Sequence, residues 1–587
     1  MRLYTDDDLD YRRLMKVGRR RASGESAPTL KLAILADCAV QQLAILIRAL
    51  LGETGLAAQI YEGPFDAIDA ETRAADSGLY RWAPDAVIIL NSAQALRAMH
   101  SRQAVPSAEF ASERAAQMVG VWDAIQSHCG ATILQSTFAM PGESYFGNFD
   151  LKVPASLRSS VTALNANLAR AACDRTGVLF HDVDAVASWV GRRNFFDDKA
   201  WDIWKAPCSL DHLPRLAKNI ADVLMVSRGR VVKCVVADLD NTLWGGVIGD
   251  DGLEGIVLNA HDGGAGESFV RLQQFLKQLQ YRGILLAVCS KNDESTALLP
   301  FLQHPDMVLK RADISVFVAN WEDKASGIRR IRDELNISLD SMLFLDDNPF
   351  ERNLVRELLP DVIVPDLPED PSDVVAYLSQ LNLFETTAFS AEDGQRTAQY
   401  QREARRRESA AGSANVEDFL RSLEMRLVLT RFDRFHLPRI SQLMQRSNQF
   451  NLCTRRLTEM ESQALMESDS HLPLYATLAD RFGDHGLISV VVLEQAGKSL
   501  MIRDWLMSCR VLTRGVEQFI MNHVFEHAAQ AGLTQVLGEY VPTVKNAMVR
   551  DFYRQFGFSP PSAGGNRWLL DVAAYRPRET FIQRSPV

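Results

Sequence analysis

The sequence has few features of a secreted or membrane protein. Its eight cysteines are scattered over 587 residues, with no CxxC pair and no Cys/His spacing of a zinc site, which predicts free thiols in a reducing cytoplasm. Long hydrophobic runs are also missing, because the most apolar early stretch, residues 30–51, contains charged and amide side chains that do not suit a bilayer. The charged N-terminus has no apolar signal segment. We therefore expect a cytoplasmic protein without a membrane partner.

The sequence has no excess of basic residues either. Its net charge of −10 argues against a general nucleic-acid binder. A hydrophobic content of 47% and a charged content of 24% are typical of globular proteins. The length is too great for one core and predicts three or four domains.

The first part of the chain alternates between strand and helix patterns. Residues 1–27 are predicted to form an N-terminal tail or a short helix. Over residues 28–228, five strand-like segments are separated by helical patterns: LKLAILADC, LAAQIYEG, DAVIILNSA, ATILQSTF and GVLFHDVDAVA. This alternation predicts an α/β domain with a doubly wound parallel sheet.

A second region, residues 229–383, begins with VVKCVVADLDNTLWGG. The apolar run predicts a buried parallel strand, and the strand ends in Asp238 and Asp240. The i, i+2 spacing places both carboxylates on one face at the carboxyl edge of the sheet, where open α/β sheets bind ligands. Two carboxylates so close together repel unless a cation or a proton lies between them. The pattern therefore predicts a Mg²⁺ site.

Three further motifs follow in order: VCSKND with Ser290 and Asn292, KASGIRRIRDEL opened by Lys324, and MLFLDDNPFER with Asp346 and Asp347. Together with DLDNT they resemble the haloacid dehalogenase-like (HAD) phosphotransferases. The resemblance implies a Rossmann-like domain in which Asp238 is the phosphoryl-accepting nucleophile and Asp240 the general acid and base. It further implies that Ser290, Asn292 and Lys324 bind the phosphoryl group, and that Asp238, Asp240, Asp346 and Asp347 form the metal site. A short Gly-rich segment between Asp240 and Ser290 predicts a minimal cap and an open site.

Residues 384–415 are rich in charged and small residues and predict a connecting helix and linker. The region 416–587 then contains DWLMSCRVLTRGVEQFIMNHVF, which resembles the core of the N-acetyltransferase (GNAT) fold, an α+β domain. The resemblance implies an acyl- or pantetheine-binding groove with Arg510, Arg514, Gly515, Asn546 and Tyr553. Thr513 stands where the family has its first loop glycine, so use of coenzyme A or of a carrier-bound pantetheine arm stays open.

The first domain resembles the SGNH hydrolases. Their Gly-Asp-Ser motif corresponds to Ala36-Asp37-Cys38, and their asparagine to Asn91. Their late Asp-x-x-His motif is not met, which argues against esterase activity. Cys38 would then be a thiol that carries an acyl group, with its pKa lowered by the following helix N-terminus. Cys289, beside Ser290, is the second thiol candidate.

The order of an SGNH-like, a HAD and a GNAT-like domain, with NQFNLCTRR and DRFGDHGL near the end, resembles the long form of the FkbH-like glyceryl transferase/phosphatases. The resemblance implies transfer of a glyceryl group from D-1,3-bisphosphoglycerate, a small phosphorylated three-carbon substrate, to the phosphopantetheine thiol of an acyl carrier protein, with dephosphorylation at the HAD site. Its product would be a polyketide-type extender or starter unit.

Three alternatives remain open from the sequence. In the first, the protein is a plain Mg²⁺-dependent phosphatase of surface polysaccharide or sugar-phosphate metabolism. In the second, it is a non-enzymatic assembly factor with a vestigial site. In the third, the transferred group is lactyl or another small hydroxyacyl instead of glyceryl. The second conflicts with the complete set of HAD motif residues. Independence from a carrier protein would identify the first.

Overall fold

The computed structural model describes residues 3–21, 29–103, 107–175, 177–259, 264–389, 416–446, 450–508, 511–512, 514–543, 546–560 and 566–585. The chain divides into two compact units, residues 1–230 with 380–387, and residues 231–379 with 388–587. None of the described helices is long and apolar enough to cross a membrane. The predicted connecting helix lies mostly in residues 390–415, outside the described residues.

The first unit is built on a five-stranded parallel sheet in the order β2-β1-β3-β4-β5. Its strands are β1 (Thr29–Ala36), β2 (Ala57–Glu62), β3 (Ala86–Leu90), β4 (Thr132–Ser136) and β5 (Val178–His181). Its helices are α1 (Tyr11–Arg21), α2 (Gln41–Glu53), α3 (Ile68–Arg73), α4 (Gly78–Trp82), α5 (Ala93–Ser101), α6 (Phe110–His128), α7 (Leu157–Ala172), α8 (Val183–Val190), α9 (Arg192–Phe195), α10 (Asp198–Trp204) and α11 (Leu213–Ser227). The predicted doubly wound parallel sheet is confirmed.

Burial explains the continuous apolar run of β3. All five residues of β3 are buried, because helices cover both faces of the sheet. The predicted N-terminal tail contains α1, whose Leu14 and Met15 are buried in the same core as α2. Gly18 is required there, since a Cβ would lie 2.1 Å from the Ile45 carbonyl oxygen.

The second unit contains a four-stranded parallel sheet in the order β8-β7-β6-β9. Its strands are β6 (Cys234–Ala237), β7 (Leu285–Ser290), β8 (Ile314–Ala319) and β9 (Met342–Leu345). Its helices are α12 (Ile248–Gly255), α13 (Ala265–Tyr281), α14 (Glu294–Gln303), α15 (Lys324–Leu335), α16 (Pro349–Leu358) and α17 (Val374–Leu381). Every residue of these strands is buried, so the sheet is a rigid base for the loops at its carboxyl edge.

The same unit contains a seven-stranded mixed sheet in the order β15-β14-β13-β12-β11-β10-β16. Its strands are β10 (Arg426–Arg431), β11 (His471–Asp480), β12 (Gly483–Ala496), β13 (Ser499–Met507), β14 (Gln535–Glu539), β15 (Arg567–Asp571) and β16 (Gln583–Arg584). Its helices are α18 (Val416–Ser422), α19 (Leu437–Arg446), α20 (Glu459–Glu467), α21 (Val516–Gln530) and α22 (Phe552–Gln555). The strands β10 to β13 form an antiparallel meander, and β13 and β14 are parallel. This agrees with the α+β character expected for residues 416–587.

Candidate active site

Predicted site residues follow the strands of the four-stranded sheet at one edge. Asp238 comes directly after β6, Ser290 is the last residue of β7, and Asp346 comes directly after β9. Lys324 is the first residue of α15, which follows β8. The carboxyl ends of parallel strands meet at the same edge of a sheet, so the four motifs that the sequence separates are brought together.

Three carboxylates form the centre of this site. Asp238, Asp346 and Asp347 each offer one oxygen, and these oxygens lie within 4.8 Å of one another. Asp346 is fully buried, and burial, followed by repulsion from Asp238, raises its pKa to about 7. Oxygen ligands in such a group suit Mg²⁺. Two of the oxygens, Asp238 Oδ1 and Asp346 Oδ2, are buried and face a cationic side chain, Lys324.

Lys324 supplies the positive charge of the site. Its Nζ lies 2.6 Å from Asp238 Oδ1 and 3.3 Å from Asp346 Oδ2, and it donates a hydrogen bond to the Cys289 carbonyl oxygen at 2.9 Å. Burial acts to lower the pKa of Lys324, but the two carboxylates outweigh it, and the pKa stands above its usual value. With all groups ionised, the three carboxylates and this ammonium leave two negative charges, which a divalent cation would neutralise.

Asp240 lies outside this group of three, although the sequence placed it in the metal site. Its Oδ1 accepts hydrogen bonds from Trp244 Nε1 at 2.9 Å and from the Ile248 backbone N–H at 3.0 Å. Its Oδ2 accepts a hydrogen bond from Asn292 Nδ2 at 3.1 Å. Both oxygens are therefore engaged, and burial raises the pKa of Asp240. A carboxylate that is held in place and protonates easily suits the predicted role of general acid and base.

The structure separates the two residues of the CSKND motif that were predicted to bind phosphate. Ser290 is buried at the end of β7, at the same edge as the carboxylates. Asn292 is buried too, but its amide donates to Asp240 and its Oδ1 accepts the Asp293 N–H at 3.0 Å. In this geometry Asn292 positions Asp240, and Ser290 remains the predicted phosphoryl ligand.

The residues that hold the aspartates in place were not predicted from the sequence. Arg352 donates to the carbonyl oxygens of Asp346 at 2.9 Å and of Asp347 at 2.6 Å. Thr242 Oγ1 accepts a hydrogen bond from the Asp347 N–H at 3.2 Å. Arg352 had a signal in the sequence, because it lies six residues after Asp346 on the helix that follows the aspartates.

Both thiol candidates are buried. Cys38 lies in the core of the first unit, where burial, followed by the charges of Asp37 and Cys208, raises its pKa well above the usual value. The prediction that a helix N-terminus lowers the Cys38 pKa is wrong for this reason. Cys289 donates to the Lys324 carbonyl oxygen at 3.6 Å, and burial raises its pKa to about 12. A buried thiol with a raised pKa is a poor nucleophile.

The predicted groove residues of the mixed sheet are partly structural. Asn546 is fully buried, its Nδ2 donates to the carbonyl oxygens of Asn451 and Val541, both at 2.9 Å, and its Oδ1 accepts the Thr543 N–H. The Tyr553 ring is buried and packs against Gly538, where a Cβ would lie 2.2 Å away.

The loop before α21 contains the other groove residues. Gly515 precedes the helix with a φ of 87°, a conformation that favours glycine. Arg514 lies 3.8 Å from Asp480 Oδ2. Arg510 lies outside the described residues.

A segment of the chain fills the gap between β13 and β14. The two strands pair only from Ser499 to Ile502 and then diverge. The Leu452 N–H donates to the Trp505 carbonyl oxygen at 3.0 Å, and the Leu452 carbonyl oxygen accepts the Val541 N–H at 2.9 Å. Leu452 thus connects β13 with the segment that directly follows β14. A pantetheine chain at this place would have to displace it, which argues against the predicted acyl groove here.

Asp504, beside this gap, predicts a pH-dependent stability. It is buried, its Oδ2 lies 3.7 Å from Arg455, and burial raises its pKa to about 7. The native state therefore binds more protons than the unfolded state between about pH 4 and about pH 7, and the stabilising contribution of Asp504 is lost as pH rises through this range. We expect the Tm of Asp504→Asn, relative to wild type, to increase over that range in thermal unfolding.

The matched control for this measurement is Asp571→Asn, an exposed aspartate of the same sheet. Its Tm relative to wild type should change little with pH. Parallel pH profiles of Asp504→Asn and wild type would contradict the prediction.

Comparison with known proteins gives two consistent results. The family model described as FkbH, N-terminal domain, matches residues 31–225. The crystal structure of the N-terminal part of the protein BF1531 from Bacteroides fragilis, which contains a phosphatase domain complexed with Mg, is 36% identical to this chain. The match covers 66% of this chain and 100% of that chain, with a TM-score of 0.61.

More distant structures match a smaller part. The ribosomal-protein-S18-alanine N-acetyltransferase from Escherichia coli is 13% identical, covering 25% of this chain and 94% of that chain with a TM-score of 0.20. The spermidine N-acetyltransferase from Vibrio cholerae in complex with CoA and spermine is also 13% identical, covering 26% of this chain and 98% of that chain with a TM-score of 0.20. Similarity at this level does not identify an activity. A search of curated proteins finds no match.

Proposed function

The chain belongs to the FkbH-like family of HAD proteins, and on that basis we propose that it transfers a glyceryl group from D-1,3-bisphosphoglycerate to the phosphopantetheine thiol of an acyl carrier protein. The more general activity, without a specified substrate, is that of a HAD-type phosphatase with Mg²⁺ as its cofactor. The observation that carries it is the buried cluster of Asp238 and Asp346 around Lys324. Family membership supports the glyceryl part and its place in polyketide-type biosynthesis.

The residues around Asp238 provide each part of phosphate removal. The Asp238 carboxylate attacks the phosphorus of the C3 phosphate, the P–O bond to the substrate breaks, and the leaving oxygen takes a proton from Asp240. Asp240 then takes a proton from the water that hydrolyses the aspartyl phosphate, which restores Asp238. Lys324 neutralises charge on the phosphoryl oxygens. Bound between Asp238, Asp346 and Asp347, Mg²⁺ would neutralise further phosphoryl charge.

Acyl transfer uses the activated end of the same substrate. The carrier thiolate attacks the C1 acyl phosphate, a C–S bond forms, and the C–O bond to phosphate breaks. The C1 phosphate leaves with the electron pair. The proton that is released comes from the carrier thiol, which loses it on becoming the thiolate. Both phosphates are thus removed, one by the thiol and one by the aspartates.

Exposed apolar side chains near the carboxyl edge support a macromolecular partner. Trp321 and Phe350, shortly after β8 and β9, are 72% and 68% exposed, and Val247 and Val257 flank α12. Between Asp240 and β7 the described residues form α12, α13 and two isolated bridges, Asp240–Trp244 and Gly245–Val257. A site with a minimal cap and an apolar rim is open to an arm presented by a carrier protein.

Intact-protein mass spectrometry tests the proposal. The enzyme, Mg²⁺ and a source of D-1,3-bisphosphoglycerate are incubated with a holo acyl carrier protein or with its apo form. A glyceryl-sized adduct on the holo form alone is the expected result. Phosphate release without an adduct on either protein would identify a plain phosphatase instead. If lactyl donors gave an adduct of a different mass on the carrier, the transferred group would be that hydroxyacyl group instead of glyceryl.

Cys38→Ala distinguishes direct transfer from an acyl-enzyme. Because the Cys38 thiol is buried in the core with a raised pKa, we expect the variant to retain glyceryl transfer and wild type to carry no adduct on this residue. Cys173→Ala, at an exposed thiol of the same unit, is the matched control. A glyceryl adduct on wild type that disappears in Cys38→Ala would establish the acyl-enzyme.

A further inference from the structure

The first unit contains a cavity of about 600 Å³ that the HAD chemistry does not use. It lies at the carboxyl edge of the parallel sheet, where Asp37 follows β1 and Asn91 follows β3. The strand order 2-1-3-4-5 reverses between these two strands, and open α/β sheets bind ligands at such a point. Its volume is in the range of about 300–1,000 Å³ that is typical of small-molecule sites.

A directed chain of hydrogen bonds runs through three side chains that line the cavity, Gln135, Asn91 and Asp37, which we call its floor. The indole of Trp122 can only donate, and it donates to Gln135 Oε1 at 2.9 Å. Gln135 Nε2 then donates to Asn91 Oδ1 at 3.0 Å, and Asn91 Nδ2 donates to Asp37 Oδ2 at 3.4 Å. The Ser92 N–H donates to Asp37 Oδ1 at 2.7 Å. The chain ends on a carboxylate, so the floor accepts an O–H, N–H or S–H group of a ligand.

Cationic side chains also line the cavity. Arg102, Arg114 and Lys205 belong to its lining, and Arg114 Nε is buried without a hydrogen-bond partner among the described residues. Lys205 Nζ lies over the Trp201 ring, 5.1 Å from its centroid. The lining also contains Asp66 and Asp69, of which Asp69 is paired with Arg73.

Size and charge together select a ligand class. One water molecule occupies about 30 Å³, so the cavity holds about twenty non-hydrogen atoms. A phosphorylated three-carbon acid has about half that number. The arginines of the lining suit an anionic group of a ligand and Asp37 suits a donor group, and apolar residues such as Ile89 and Met118 also line the cavity. Phosphate suits arginine, which forms charge-assisted hydrogen bonds with it.

We propose that this cavity binds a phosphopantetheine chain, with its phosphate at Arg102 and Arg114 and its amide, hydroxyl or thiol donors toward Asp37. The inference rests on the proposed function, since it gives the carrier-bound arm a binding site in the first unit. It does not require the gap between β13 and β14 of the second unit, which Leu452 fills. The same chain occurs in free coenzyme A and on a carrier protein.

Isothermal titration of the full chain with pantetheine 4′-phosphate tests the site. We expect saturable binding that weakens about tenfold or more in the double variant Arg102→Gln/Arg114→Gln. Pantetheine without phosphate and inorganic phosphate alone should each bind more weakly. The matched control is Arg175→Gln, because Arg175 pairs with Asp123 and does not line the cavity. Asp37→Asn should weaken pantetheine binding and leave the affinity for inorganic phosphate unchanged.

Two outcomes would overturn the proposal: equal affinity in wild type and the double variant, or inorganic phosphate binding as tightly as pantetheine 4′-phosphate. Parallel titrations with coenzyme A and with holo and apo carrier protein separate the two sources. Binding of the holo form alone identifies the carrier arm, and binding of coenzyme A alone identifies the free cofactor. Phosphate release is measured on the same preparations. If wild type binds pantetheine 4′-phosphate but transfers no glyceryl group, the proposed function is refuted. If wild type does not bind it and still releases phosphate, the cavity site is refuted.

Discussion

Replacing Asp238 with asparagine should lower phosphate release from a three-carbon phosphate monoester by at least about a thousandfold, as loss of a covalent nucleophile does in other enzymes. The amide is a poor nucleophile, so the aspartyl phosphate does not form. The fold should survive, because asparagine has nearly the same shape and Lys324 keeps Asp346 at 3.3 Å. The measurement is inorganic phosphate released in the presence of Mg²⁺, with Tm recorded on the same preparation.

Asp250→Asn is the matched control for this variant. Asp250 is an exposed aspartate of α12, close in sequence to Asp238 but outside the carboxylate group. It should keep most of the activity. If Asp238→Asn retained phosphate release within about tenfold of wild type, a different group would have to be the nucleophile. The glyceryl transfer step would then need to be tested separately. In that step the carrier thiolate attacks the C1 acyl phosphate, and Asp238 is not required.

Much of the HAD site could be predicted from the sequence, because most of its residues lie at the ends of strands. An apolar run that stops at an aspartate locates both the strand and the side chain, and parallel strands bring such ends to one edge. Asp238 and Asp346 could be predicted in this way, and Lys324 from the helical motif that it opens. The partners of Asp240 could not, since Trp244 and Asn292 approach it from different segments and nothing in a linear pattern gives their distance.

The predictions for the thiols and for the acyl groove depended on tertiary packing. The pattern of apolar residues along the sequence does not determine that packing. Cys38 stands at a nucleophile-like turn, but its surroundings in the folded core decide its pKa. The insertion of Leu452 between β13 and β14 was equally hidden, because the hydrogen bonds that hold it come from residues 53 and 89 positions away, at Trp505 and Val541.

Lys324→Met should give the largest change in stability. The lysine is buried between Asp238 and Asp346, and methionine keeps most of its length without the charge. Removing one partner of a buried ion pair leaves uncompensated charge, which costs about 3–5 kcal/mol of the free energy of unfolding. We therefore expect a clear fall of Tm in the presence of a chelator, together with loss of phosphate release.

Mg²⁺ should restore more stability to this variant than it adds to wild type. Without the ammonium, the three carboxylates carry three negative charges when ionised instead of a net two, so a divalent cation relieves more repulsion. Thermal unfolding with chelator and with Mg²⁺ measures the two shifts. Lys277→Met is the control, because Lys277 forms a more exposed ion pair with Asp313 on the same sheet's flanking helix and should change both shifts little. An equal Mg²⁺ shift in wild type and Lys324→Met would show that the lysine and the cation do not neutralise the same carboxylates.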